Sequence, residues 1–227
     1  MAVNFLSGFD FSTIPGYRQE GAVLPAPDQY VGELLIGEES IVFEQHLREN
    51  VDYYPDKIRY HSLKSDPLNH VAVILESPHR FEYDSHKQPI GLIKGVSGDN
   101  FFALFAQTLQ RSSLAIRPRK YHVIIMNAVQ YQTSCGTQPL DKELRDMNWL
   151  DIYENNGGED DFRKRLFSIK PRYTINLCTG GNNPIGLRSR VNASLDRFGL
   201  IKGKHYTEGN HPASWIVSGD TRHAIII

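Results

Sequence analysis

Val71-Ala72-Val73-Ile74-Leu75-Glu76-Ser77-Pro78-His79 is an apolar run that stops abruptly in charged and polar residues and a proline. A short, β-branched run without a polar break suits a strand buried on both faces, as inside a parallel sheet. The same grammar recurs along the chain. Tyr121 to Met126 ends in Asn127, Tyr173 to Cys178 ends in Thr179-Gly180-Gly181, and His205 to Glu208 leads into Asn210-His211-Pro212-Ala213-Ser214-Trp215. Each run delivers polar side chains at its C-terminal end, where open α/β sheets bind ligands. Strands alternating with helical stretches predict an α/β fold. The expected form is a three-layer α/β/α domain with a central, mainly parallel, four-stranded sheet. Its C-terminal edge collects Glu76, Asn127, Thr179 and His211.

The intervening segments read as follows. Residues 1–27 are rich in Gly, Pro and aromatics and predict an extended segment over the domain. Residues 28–50 carry Tyr30, Leu34, Leu35, Ile41, Phe43 and Leu47 between acidic residues, a spacing that predicts one or two helices. With a polar connection at 51–70, they make residues 1–69 an N-terminal extension and helical region on a single domain spanning 1–227. Residues 76–97 lack periodicity, and a long irregular loop after a central strand is usually functional. Asp99 or Asn100 caps a helix whose apolar face holds Phe101, Phe102, Leu104, Phe105 and Leu109. Asp160 to Ile169 predicts a helix with a basic face, and Asn183-Pro184 starts another reaching about Phe198. His223 to Ile227 reads as a last strand or a docked tail.

Composition bounds the function. The 227 residues are 40% hydrophobic and 22% charged, enough for one substantial core. The net charge is −1, so nucleic-acid binding requires a local basic face. Candidates are Arg117-Arg119-Lys120, Arg163-Lys164-Arg165 and Lys202-Lys204, which also fit as solubility charges. The two cysteines, Cys135 and Cys178, cannot supply a four-thiolate site and suit a reducing cytoplasmic setting. The histidines show no metal-ligand spacing, so no metal and no cofactor are expected. Apolar runs fall short of the roughly 18 residues of a membrane span, and no signal peptide is apparent.

Taken in order, these motifs resemble the uracil-DNA glycosylase superfamily. Many members read apolar strand, G-Q-D-P-Y-H, loop, G-L-x-F-S, helix. This chain reads Val73-Ile74-Leu75-Glu76-Ser77-Pro78-His79, a loop, Gly91-Leu92-Ile93-Lys94-Gly95, then a helix. The family's next strand ends in Asn, here Ile124-Ile125-Met126-Asn127, and its last enters H-P-S-P-L, here His211-Pro212-Ala213-Ser214-Trp215. The similarity covers roughly residues 70–216.

The resemblance implies a monofunctional DNA glycosylase that extrudes a nucleotide and hydrolyses its N-glycosidic bond, and a monomer is expected. Asn127 matches the Asn that reads the base edge, and His211 the His that stabilises the leaving base. Trp215 falls where the family has its intercalating Leu. Pro212 shares that DNA-binding loop, and Ser214 and Ser77 are candidate phosphate contacts. A carboxylate is needed to stabilise the oxocarbenium-like sugar and orient water.

Four departures shape the expectation. Ser77 stands where the family has its water-activating Asp or Asn, and Glu76 lies one residue earlier. The carboxylate role therefore falls to Glu76, with Glu82 and Asp84 as alternatives. His79 replaces the Tyr beside the pyrimidine C5 position, and Lys94 replaces the Phe that stacks on uracil. A pocket without those rings implies a bulkier, polar pyrimidine, such as hydroxymethylated or glucosylated cytosine of phage DNA, and with it an anti-phage role. Other readings fit the same residues: a uracil-DNA glycosylase of base excision repair, a hydrolase of free nucleosides or nucleotides, or a non-catalytic DNA-binding module.

Overall fold

The computed structural model describes residues 24–45, 69–112, 114–134, 141–181 and 186–215. Strands β1 (Gln29–Ile36), β2 (Ile41–Gln45), β3 (His70–Leu75), β4 (Arg119–Asn127), β5 (Tyr173–Asn176) and β6 (Tyr206–Glu208) form one sheet in the order β2-β1-β4-β3-β5-β6. Helices α1 (Val96–Gln110), α2 (Lys142–Leu150), α3 (Gly158–Ile169) and α4 (Leu187–Arg197) fill the connections, α2 running on into a π-helical turn at Asp151–Asn155.

All six residues of β3 are buried, as its unbroken apolar run requires. β3 pairs in parallel with β4 and β5, and β5 in parallel with β6. The sheet is nonetheless mixed and six-stranded, wider than the four strands expected. The difference lies in residues 28–45, which form the antiparallel pair β1 and β2 and not helices. Their burial alternates along Glu33, Leu34, Leu35 and Ile36, with Leu34 and Ile36 turned inward. Gly32 explains why a strand wins. A Cβ there would lie 2.3 Å from the Glu44 carbonyl oxygen, so β1 and β2 approach closely only because residue 32 is glycine.

Alternation along the central strands splits the apolar residues between two cores. Val71, Val73, Leu75, Val123 and Ile125 pack on one face with Phe101, Phe105 and Leu109 of α1. Ala72, Ile74, Ile124 and Met126 pack on the other with Trp149, Phe162, Leu166, Val191 and Leu195 from α2, α3 and α4. Helices therefore cover both faces of an α/β sheet. The crossover from β3 to β4 uses α1 on one face, whereas that from β5 to β6 uses α4 on the other. Adjacent strands whose connections leave on opposite faces open a crevice at their carboxyl ends, here between β3 and β5.

Several boundaries differ from expectation. α1 begins at Val96 after Gly95, not at a side-chain cap from Asp99 or Asn100. α4 begins at Leu187 after Gly186, so the predicted start at Pro184 falls among residues outside those described. The segments 1–23 and 51–68 and the tail His223–Ile227 also lie outside them. Among the described residues, no helix is long and apolar enough to cross a membrane.

The basic clusters take positions that their spacing could not reveal. Arg165 is only partly exposed, its guanidinium bonded to Asp28, Asp161 and the carbonyl oxygens of Asn127 and Ala128. It clamps the end of β4 and is not available to track a DNA backbone. Arg119 and Lys120 open β4, and Lys202 and Lys204 precede β6, at the opposite edge of the sheet from Glu76 and Asn127.

Candidate functional site

The site is assembled where β3, β4 and β6 end. Their ends are laced by backbone bonds: Ala128 N–H donates to Leu75 O at 2.8 Å, Val129 N–H to Glu76 O at 3.0 Å, and Leu177 N–H to Ile74 O at 2.8 Å. The buried Trp149 indole N–H also donates to Glu76 O, at 2.7 Å. With its backbone held from two sides, Glu76 presents its carboxylate in a fixed direction. Oε2 accepts from Thr179 N–H at 3.2 Å and lies 3.6 Å from His211 Nε2. That pair spans the crevice between β3 and the loop after β6.

His211 caps the short 3₁₀ turn Pro212–Ser214, and Pro212 at its first position suits the turn. Its Nδ1 accepts from Ala213 N–H at 3.2 Å. A neutral imidazole whose Nδ1 accepts must carry its proton on Nε2. The N–H of His211 therefore lies on the side of the ring that faces Glu76.

The loop bearing His211 is pinned from beneath. Asn100 donates from Nδ2 to Pro212 O at 2.9 Å and to Trp215 O at 2.7 Å. Trp215 is only 2% exposed, stacks against Phe101 with ring centroids 6.2 Å apart, and donates to Asn210 O. It is an anchor in the α1-side core and not a surface wedge, which corrects the intercalating role expected of it. Pro212 is likewise buried. Ser214 is exposed, with its hydroxyl donating to His211 O at 2.7 Å.

Asn127 closes β4 beside Leu75. It follows Val123 and Ile125 on the sheet face covered by α1, Leu92, Ile93 and Trp215. The residue is 1% exposed, and neither its side-chain oxygen nor its nitrogen has a hydrogen-bond partner in the protein. Leaving such a group unpaired costs about 1–3 kcal/mol. Arg165 meanwhile holds the Asn127 carbonyl at 3.0 Å, so the strand end cannot move to relieve it.

The remaining predicted residues separate. Ser77 pairs its hydroxyl with that of Thr133 at 2.8 Å, on the 131–134 segment. His79 caps the 3₁₀ turn Arg80–Glu82, its Nδ1 accepting from Phe81 N–H, which again leaves Nε2 as the protonated nitrogen. Burial, Arg80 and His211 hold His79 below its ordinary pKa against the opposing pull of Glu76. Lys94 is exposed beside the loop.

Of the three carboxylates open to the sugar role, only Glu76 faces His211. Glu82 is buried, with Oε1 accepting from Ile93 N–H at 2.5 Å and Oε2 from His79 N–H at 3.2 Å. Burial pushes its pKa up to about 8, against the backbone donors, with the nearby Glu76 charge adding to the rise. It staples the two halves of the 76–95 loop. Asp84 organises an exposed turn, accepting from His86 and Gln88 N–H.

Sequence reading missed Asn100, Trp149 and Thr133 as supports of the site. Asn100 carried the one available signal, a lone amide just before the apolar face of α1. Cys178 is buried, and burial and Glu76 raise its thiol well above its ordinary pKa, so it remains a core thiol. Among the described residues, no group of three or more His, Cys, Asp or Glu is arranged to hold a metal ion.

The strand ends thus carry a fixed carboxylate with an imidazole N–H facing it and, at the end of neighbouring β4, a buried amide whose nitrogen and oxygen have no partner in the protein. Chemically, a carboxylate can stabilise a cation or orient water, an imidazole N–H can stabilise an anion, and an amide can pair with a heterocycle edge. No protein-family model matches the chain, and neither a curated protein nor a solved structure is significantly similar to it.

Proposed function

We propose that this protein is a DNA glycosylase of the uracil-DNA glycosylase type. It hydrolyses the N-glycosidic bond of an extruded pyrimidine and leaves an abasic site. The observation that carries this reading is Asn127, whose buried amide lacks protein partners at the end of the strand beside Glu76. An amide so held is suited to a base edge that offers one donor and one acceptor. The order of the sequence motifs supplies the rest.

In this reading the C1′–N bond breaks first, its electrons passing to the base and leaving a cationic sugar. Glu76 stabilises that cation and orients the water that adds to C1′, accepting its proton. His211 donates its Nε2–H to the base oxygen on which negative charge builds. His79 and Lys94, standing where uracil-specific members carry rings, give the pocket a polar wall suited to a substituted pyrimidine. A glucosylated hydroxymethylcytosine fits that chemistry, and its removal from incoming phage DNA would serve defence.

One observation favours a second reading. Ser77 occupies the position of the family's water-activating acid and is tied to Thr133. A module that binds DNA without cutting it would tolerate that. Alkaline cleavage of treated oligonucleotides separates the two. Abasic sites formed by the wild type and lost in Glu76→Gln and His211→Ala support the enzyme; DNA binding without abasic sites supports the module.

A further inference from the structure

With Trp215 buried, the exposed aromatic next to the candidate site is Phe81, five residues beyond Glu76. Its side chain sits on the 3₁₀ turn that His79 caps and is 52% exposed. The Arg80 guanidinium carbon lies 4.7 Å from the Phe81 ring centroid, and the His79 ring centroid is 4.8 Å away. Arg80 Nε is buried without a hydrogen-bond partner, and among the described residues no carboxylate pairs with this cation. Gly95 lets the ring lie where it does, for a Cβ there would come 3.3 Å from Phe81 Cδ2. Val96, next along, is 65% exposed and extends the apolar rim.

An unpaired guanidinium beside an exposed ring is chemistry for a ligand that is anionic and flat at once. An apolar peptide would use the ring and Val96 but leave the cation unanswered. A nucleic-acid strand answers both, because each nucleotide carries a phosphate and a π face. His79 joins the rim to the crevice, feeling the charges of both Glu76 and His211. Resting on the glycosylase reading for the site itself, we propose that Phe81 and Arg80 seat the nucleotide adjoining the extruded one. Its base stacks on the Phe81 ring and its phosphate pairs with Arg80.

Fluorescence anisotropy with a labelled single-stranded oligonucleotide, at several salt concentrations, tests this. Phe81→Ala should weaken binding roughly 5- to 150-fold, the range of one base–aromatic stack, whereas Phe81→Trp keeps it. Arg80→Ala should flatten the slope of log K against log salt by about 0.7 to 1, one phosphate contact. Phe167→Ala, which removes a 49%-exposed ring near the far end of α3, should change neither. Phe81 and Phe167 are exposed and Arg80 is partly so, and unaltered melting temperatures would confirm that the fold is kept. Wild-type affinity and salt slope in both Phe81→Ala and Arg80→Ala would overturn the proposal. If those variants lose affinity while the wild type releases no base, the rim stands and the glycosylase reading falls. A wild type with no affinity for DNA overturns both.

Discussion

The Glu76 carboxylate and the His211 imidazole face each other at 3.6 Å across the crevice between β3 and the loop after β6. Separate devices hold the two groups. Trp149 and Val129 fix the Glu76 backbone, and Asn100 and Trp215 fix the loop that carries His211. A carboxylate and an N–H held side by side in this way offer an acceptor for developing positive charge and a donor for developing negative charge at neighbouring points.

Removing either member should therefore cost rate and not fold. Glu76→Gln and His211→Ala are each expected to lower single-turnover base release by roughly 10²–10³, the usual loss for one preorganised electrostatic group. Circular dichroism should stay unchanged. Rates within a few-fold of wild type would remove the pair from the chemistry.

Asn127→Ala should separate activity from stability. The amide makes no side-chain hydrogen bond in the protein, so its removal deletes a buried unpaired group worth about 1–3 kcal/mol of penalty. The melting temperature is expected to hold or rise while base release is lost. A fall of several degrees would mean that the amide serves the fold.

Trp215→Ala distinguishes anchor from wedge. As a buried ring stacked on Phe101, it should cost about 3–5 kcal/mol of stability in urea unfolding. Phe at this position keeps most of the packing and loses only the bond to Asn210. Loss of DNA affinity at full stability would instead indicate a wedge.

Glu82 gives the protein a pH signature. Its folded pKa of about 8 lies above its ordinary 4.5, so the folded state binds its proton more tightly than the unfolded state. The resulting stability is fully present below about 4.5 and is lost as pH rises through about 8. Glu82→Ala is expected to flatten that decline. It should also lower stability at acid pH, because the His79 and Ile93 N–H groups lose their acceptor. An unchanged profile in the variant would place the decline elsewhere.

What was legible in the sequence follows from what each pattern encodes. β3 and the inner half of β4 announced themselves because a strand buried on both faces is apolar until it ends, and Glu76 and Asn127 were read at those ends; the short edge strand β6, Tyr206-Thr207-Glu208, was read from its place before Asn210-His211-Pro212. β1 was misread because Leu34-Leu35-Ile36 fits a helical face as well as an alternating one, and only the close approach at Gly32 decides between them. The burial of Trp215 and the clamping position of Arg165 depend on partners distant in sequence, Phe101 for one and Asp28 for the other, which no local spacing reveals. Choosing among Glu76, Glu82 and Asp84 required the path of the 76–95 loop. That path follows from bonds such as Glu82 to Ile93 and Asn100 to Pro212.

Free-base release measured by mass spectrometry tests the central claim most directly. The DNA panel would carry plain cytosine, uracil, hydroxymethylcytosine and glucosylated hydroxymethylcytosine, each treated with wild type, Asn127→Ala and His211→Ala. The account predicts release of a substituted pyrimidine by the wild type, little release of uracil, and loss of the product in both variants. A folded, DNA-binding wild type that frees no base from any of the four DNAs would contradict it.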